Sequence, residues 1–175
     1  MRIRCSTVLL FAILTVLVSN APDAIAQRKG EYLTEGEMNL VRDIRLIDNR
    51  SQVFLRIADR RLVAITDPAG PTGDTRFMKY GPLPTGSIIE LLDDYRRAVE
   101  ELMIKLDDEF ERTGMTKELR KALESSSTEM DRQIGVLVTI KGRSSGPAFE
   151  SFHRRAVEAA NDLRDGARAA LESAP

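Results

Sequence analysis

Beyond its first 26 residues the chain has no cysteine, and its 175 residues include one histidine, no tryptophan, three tyrosines and six phenylalanines. Each scarcity closes off a chemistry. Without cysteine there is no disulfide framework, thiol nucleophile or thiolate zinc site, so packing alone must hold the fold together. A paired metal centre of the ferritin-like kind needs two Glu-x-x-His elements. With His153 the sole histidine, Glu150-x-x-His153 cannot supply both and reads as a surface pair on a helix. The glycines fit neither phosphate-binding fingerprint, and no Gly-x-Ser-x-Gly elbow accompanies the histidine. No catalytic residue, metal site or cofactor is therefore expected.

One apolar run stands out, and it is short. Val8 to Val18 is almost wholly apolar, Arg2 and Arg4 precede it, and Ala24-Ile25-Ala26 follows. That order is the pattern of a secretory signal peptide, which predicts cleavage after Ala26 and export to the periplasm or the extracellular space. The run is about half the roughly twenty residues needed to span a bilayer. Cys5 lies before it, so this cysteine cannot become the lipidated first residue of a lipoprotein.

Residues 27–175 then form one domain of 149 residues with 24 basic and 26 acidic side chains. A chain of that size buries roughly two-thirds of its unfolded surface. Its near-balance of charge lacks the basic excess of a nucleic-acid binder. No later segment approaches a transmembrane length. Leu, Ala, Glu, Arg and Ile dominate, a vocabulary of helix formers.

Their spacing predicts an all-α fold, an antiparallel bundle of four to five amphipathic helices. Thr34 with Glu37 is a capping box, and Leu33 and Met38 are placed for a hydrophobic staple. Helical spacing runs over residues 35–66 as two helices or one bent helix, divided at Asp48-Asn49. Ser87 with Glu90 caps a second region, whose stripe runs from Ile88 through Tyr95, Leu102 and Leu106 to Phe110. Gly114 ends it and Thr116 starts the next, with Leu119, Leu123, Met130, Ile134, Leu137 and Ile140 inward. Ser125-Ser126-Ser127 is a poor helix interior, and Ile134 to Ile140 is rich in β-branched residues, yet unbroken spacing favours helix throughout. Pro147 suits the first position of a final helix, with Phe149, Phe152, Ala156, Ala160, Leu163, Ala167 and Ala170 inward.

Between these helices, residues 66–86 hold Pro68, Gly70, Pro71, Gly73, Gly81, Pro82, Pro84 and Gly86, which predict an irregular loop of about twenty residues. Loops of that length are uncommon in compact domains. Arg76, Phe77, Lys79 and Tyr80 sit in its middle. Phe77 and Tyr80 either pin the loop to the bundle or, with Arg76 and Lys79, present it to a partner. These four are the candidate binding residues.

The acidic residues of the long helix, Asp93, Asp94, Asp107, Asp108, Glu109 and Glu111, lie beside arginines and lysines as a solvated face would. Arg42, Arg45, Arg56, Arg60 and Arg61 lie close to Asp43, Asp48 and Asp59, which predicts surface ion pairing. The segment Ile44 to Leu62 resembles the first helix of the all-helical chorismate mutases, in which two arginines grip a dicarboxylate. That resemblance implies a small enzyme or anion binder, although the Pro/Gly loop stands where that family continues its helix. The expectation from the residues themselves is a non-catalytic binding or scaffolding module whose partner is another envelope or secreted protein.

Overall fold

A computed structural model describes residues 32–69 and 75–173, with residues 75–77 described as backbone only. The run from Val8 to Val18 and the cleavage position lie outside the described residues. Five α-helices follow one another: α1 (Glu35–Asp43), α2 (Ile47–Thr66), α3 (Ile88–Thr113), α4 (Lys117–Ile140) and α5 (Pro147–Ser173). Short 3-10 helices occupy Thr75–Tyr80 and Lys141–Arg143, and there is no strand among the described residues. The fold is an all-α bundle. No helix among the described residues is long and apolar enough to cross a membrane.

Local chemistry fixes the helix ends. Both capping boxes form: Thr34 and Glu37 bond reciprocally at the start of α1, and Ser87 and Glu90 do so at the start of α3. The Thr116 hydroxyl accepts the Leu119 amide to begin α4, and Pro147 is the first residue of α5. Gly114 stops α3 with φ of 67°, a conformation that costs glycine nothing.

Two elements differ from the sequence expectation. The break between α1 and α2 falls at residues 44–46, not at Asp48-Asn49. Asp48 lies in the first turn of α2, where a carboxylate suits the positive end of the helix dipole. The Arg50 guanidinium holds the free Ile44 carbonyl, at 3.2 Å from Nε and 2.6 Å from Nη2, and so closes the end of α1. Residues 75–80 of the irregular loop form a 3-10 helix. Helix α4 is continuous through its serines and its β-branched stretch. Ser125 and Thr128 turn their hydroxyls back onto the carbonyls of Ala122 and Glu124, while Ser126 and Ser127 are buried as small side chains.

The four long helices pack as a square with a distinctive pairing. Helix α2 lies against α3 and α4, and α5 against the same two, while α3 and α4 barely touch. Successive helices α3 and α4 are thus diagonal. Asp48 meets Lys121, Asp59 meets Arg132, and Arg143 reaches the carbonyls of Ile65 and Thr66. Numbers on both helices rise together, so α2 and α4 run side by side in the same direction. Helices α4 and α5 are antiparallel, since Leu137 meets His153 and Asp131 meets Arg168. The core between them holds Phe54, Ile57, Leu62, Leu92, Tyr95, Leu102, Leu119, Met130, Leu137 and Leu163.

Helix α1 packs on α2 beside the returning loop. There Gly36 lies so close to the loop that a Cβ would stand 2.7 Å from the Tyr80 carbonyl oxygen. Both partners are backbone, so neither can swing aside. Gly36→Ala is expected to cost about 1–3 kcal/mol, as overpacked sites do, measured as a lower urea midpoint with an unchanged slope.

Candidate functional site

The site starts from a buried ion cluster. Arg60 and Arg61 are neighbours on α2, and both are fully buried, as is Glu37 of α1. Glu37 Oε1 accepts from Arg60 Nε at 2.9 Å and from Arg61 Nη1 at 2.5 Å, and Oε2 accepts from Arg61 Nη2 at 2.7 Å. The terminal nitrogens also donate to backbone carbonyls, while Arg61 Nε is buried without a hydrogen-bond partner among the described residues. Arg60 reaches the oxygens of Tyr80, Gly81 and Pro82, and Arg61 those of Ile57 and Tyr32. Arginine's planar fork suits such multiple acceptance. Burial pushes the Glu37 carboxyl up, but the Arg61 hydrogen bond and charge, the Thr34 amide and the Arg60 charge outweigh it and hold it below its ordinary value.

These two arginines therefore do not form the surface pairs expected of them, and they are closed to any ligand. Their partner stands 23 and 24 residues earlier in the chain, which local charge spacing cannot reveal. What the cluster does is fasten the end of the loop. Tyr80 is buried against it, with the Arg60 guanidinium carbon 5.5 Å from its ring centre.

Fastening the loop creates a pocket. Ile44, Asn49, Gln52, Val53 and Arg56 approach from one side and Lys79 and Tyr80 from the loop, around about 370 Å³. Asn49, Gln52 and Arg56 are spaced by three and four, so they form one polar stripe on α2. Gln52 and Arg56 also line an adjoining groove of about 440 Å³ between α2 and α4, with Lys121, Glu124 and Glu129 on its far side. Lys79 is exposed, and its Nζ lies 5.3 Å from the Tyr80 ring centre. Burial pushes the Tyr80 phenol up, against the charges of Arg56 and Arg60.

Arg56 is the least committed of the α2 arginines that face the bundle. Its only ion pair among the described residues is with Asp59 at 3.9 Å, and its side chain is 40% exposed. Asp59 belongs chiefly to Arg132, which holds it at 2.5 Å and also holds Glu129 at 2.5 Å. Burial raises the Glu129 carboxyl, but the hydrogen bonds from Arg132 and Gln133 lower it below the ordinary range. Both carboxylates are thereby engaged by Arg132, and the guanidinium donors of Arg56 make no hydrogen bond to a described residue. A guanidinium, an ammonium and two side-chain amides around one space can grip a carboxylate.

Two of the four loop residues picked out in the sequence, Lys79 and Tyr80, reach this pocket; the side chains of Arg76 and Phe77 lie outside the described residues. The Asn49–Gln52–Arg56 stripe was the local signal for the other wall. His153 is not on the surface. It is buried beside Phe149, and its Nε2 stands 2.7 Å from the Leu137 carbonyl oxygen, which fixes the proton on that nitrogen. Glu150, one turn earlier, is exposed. No cluster of three metal-ligating side chains occurs among the described residues.

No family model, curated protein or solved structure matches this chain.

Proposed function

We propose that this chain is an exported, non-catalytic binding module of the cell envelope or extracellular space. It captures another envelope or secreted protein by seating an acidic side chain between Arg56 and Lys79. The observation that carries this reading is the Arg56 guanidinium, loosely paired with Asp59, which lines one pocket with an exposed lysine of the loop that a buried cluster fastens. The order of basic, apolar and small residues in the first 26 positions supports export. Charge-assisted bonds are roughly twice as strong as neutral ones, and a guanidinium takes a carboxylate with both arms of its fork.

The test is fluorescence anisotropy with a labelled glutamate-rich peptide, followed by Arg56→Gln. The variant is expected to bind about tenfold more weakly, a difference of about 1.4 kcal/mol, with a shallower dependence on salt. Its melting temperature should hardly change, because a half-exposed ion pair contributes little. Equal binding by both proteins sinks the proposal. A second reading, a small dicarboxylate ligand in the same pocket, would replace the first if succinate raised the melting midpoint while the peptide did not.

A further inference from the structure

A second concavity lies elsewhere on the bundle, shares no residue with the Arg56 pocket and has the opposite character. Met103, Leu106 and Phe110 of α3, Leu119 and Leu123 of α4, and Leu163 and Ala167 of α5 enclose about 200 Å³. Its opening has a structural cause. Helices α3 and α4 are diagonal and barely touch, and beyond Leu163 the α5 wall is made of the small residues Gly166, Ala167 and Ala170. Phe110, on its wall, remains 48% exposed.

The rim is acidic. Asp107 of α3 and Asp162 of α5 both line the opening, both are exposed, and neither has an ion-pair partner among the described residues. The basic groups of the adjoining α5 surface are already taken: Arg164 pairs with Asp165 and Asp131, and Arg168 with Asp131. Farther along α3, Arg112 is held by Glu109.

Size and charge choose the occupant. The space is smaller than the roughly 300–1,000 Å³ of small-molecule sites. It suits the kind of anchor that dominates protein interfaces, one large apolar side chain inserted into a desolvated pocket. Two unpaired carboxylates at the mouth repel a fatty acid or an anionic lipid and attract lysine or arginine beside the anchor. We infer that this groove docks a basic amphipathic helix of a partner protein, one apolar side chain seated between α3 and α5 and its cationic neighbours on Asp107 and Asp162.

The experiment uses the whole chain and a fluorescein-labelled peptide carrying leucine and lysine at helical spacing, with a glutamate-for-lysine counterpart. Gly166→Leu fills the groove. A Cβ at Gly166 meets nothing within 4 Å, and the position is helical, so this variant keeps or raises the melting temperature. It is expected to bind the lysine peptide at least about tenfold more weakly. Asp107→Asn with Asp162→Asn is expected to weaken binding several-fold and flatten its salt dependence. Unchanged affinity in Gly166→Leu overturns the inference. So does equal binding of the glutamate peptide, displacement of the lysine peptide by laurate, or self-association of the chain that Gly166→Leu abolishes. Arg56→Gln leaves this binding untouched, so failure here is distinguishable from failure at the other pocket.

Discussion

Replacing Glu37 with glutamine is expected to destabilise the protein by about 3–5 kcal/mol, the range for removing one partner of a buried ion pair. Glutamine keeps the shape and leaves two arginines, both wholly buried, without a counter-charge. Natural domains have only about 5–15 kcal/mol in total. Such a loss would bring the urea midpoint down by about a fifth or more. A change below about 1 kcal/mol would mean that the arginines reach water when their partner is removed.

The same residue gives the protein an acid limit. Because folding holds the Glu37 carboxyl below its ordinary value of about 4.5, its contribution is fully present above that value and is lost as pH falls through the lowered one. Stability of the native chain should therefore begin to drop as pH falls below about 4.5, and the drop should be smaller in Glu37→Gln. Parallel pH curves for the two proteins would show that other carboxylates control acid unfolding. Loss of the cluster also frees residues 80–82, so Lys79 should no longer be held at the Arg56 pocket. Glutamate-peptide binding would then fall with stability, whereas Arg56→Gln affects binding alone.

The second large effect is expected at Leu102→Ala, a loss of about 2–5 kcal/mol from the cavity left in the core. Leu102 is 1% exposed and sits mid-way along α3, the most regular apolar stripe in the chain. The slope of the urea transition should remain that of the native protein, since the variant exposes the same surface on unfolding. An unchanged melting temperature would contradict the inward register of α3. Helix α5 offers a contrast, because four of its seven buried residues are alanines.

What could be read from residues in order was whatever is decided within a turn or two of helix. The capping boxes at Thr34 and Ser87, the stop at Gly114, the start at Pro147 and the stripe of α3 all involve partners three or four positions apart. The α2 start was misplaced for the complementary reason. Leu46, its N-cap, makes no side-chain cap, and the group that closes α1 is the guanidinium of Arg50, six residues on from Ile44. The serines of α4 read as a weak interior because their hydroxyls compete for the backbone in isolation. In the folded chain they bond carbonyls of their own helix or fill tight positions between helices.

Period and capping are local physics, and they were enough to place the helices, most of their inward faces and the class of fold, although Phe110 at the end of the α3 stripe stays half exposed. The tertiary structure alone decided which charges are buried, that α2 and α4 run in parallel, and that Lys79 comes to lie beside Arg56. Those outcomes depend on contacts over 20 to 80 positions of chain. A charged side chain on a helix looks the same in sequence whether it faces water or a carboxylate brought to it by the fold, and only packing distinguishes Arg60 and Arg61 from Arg56.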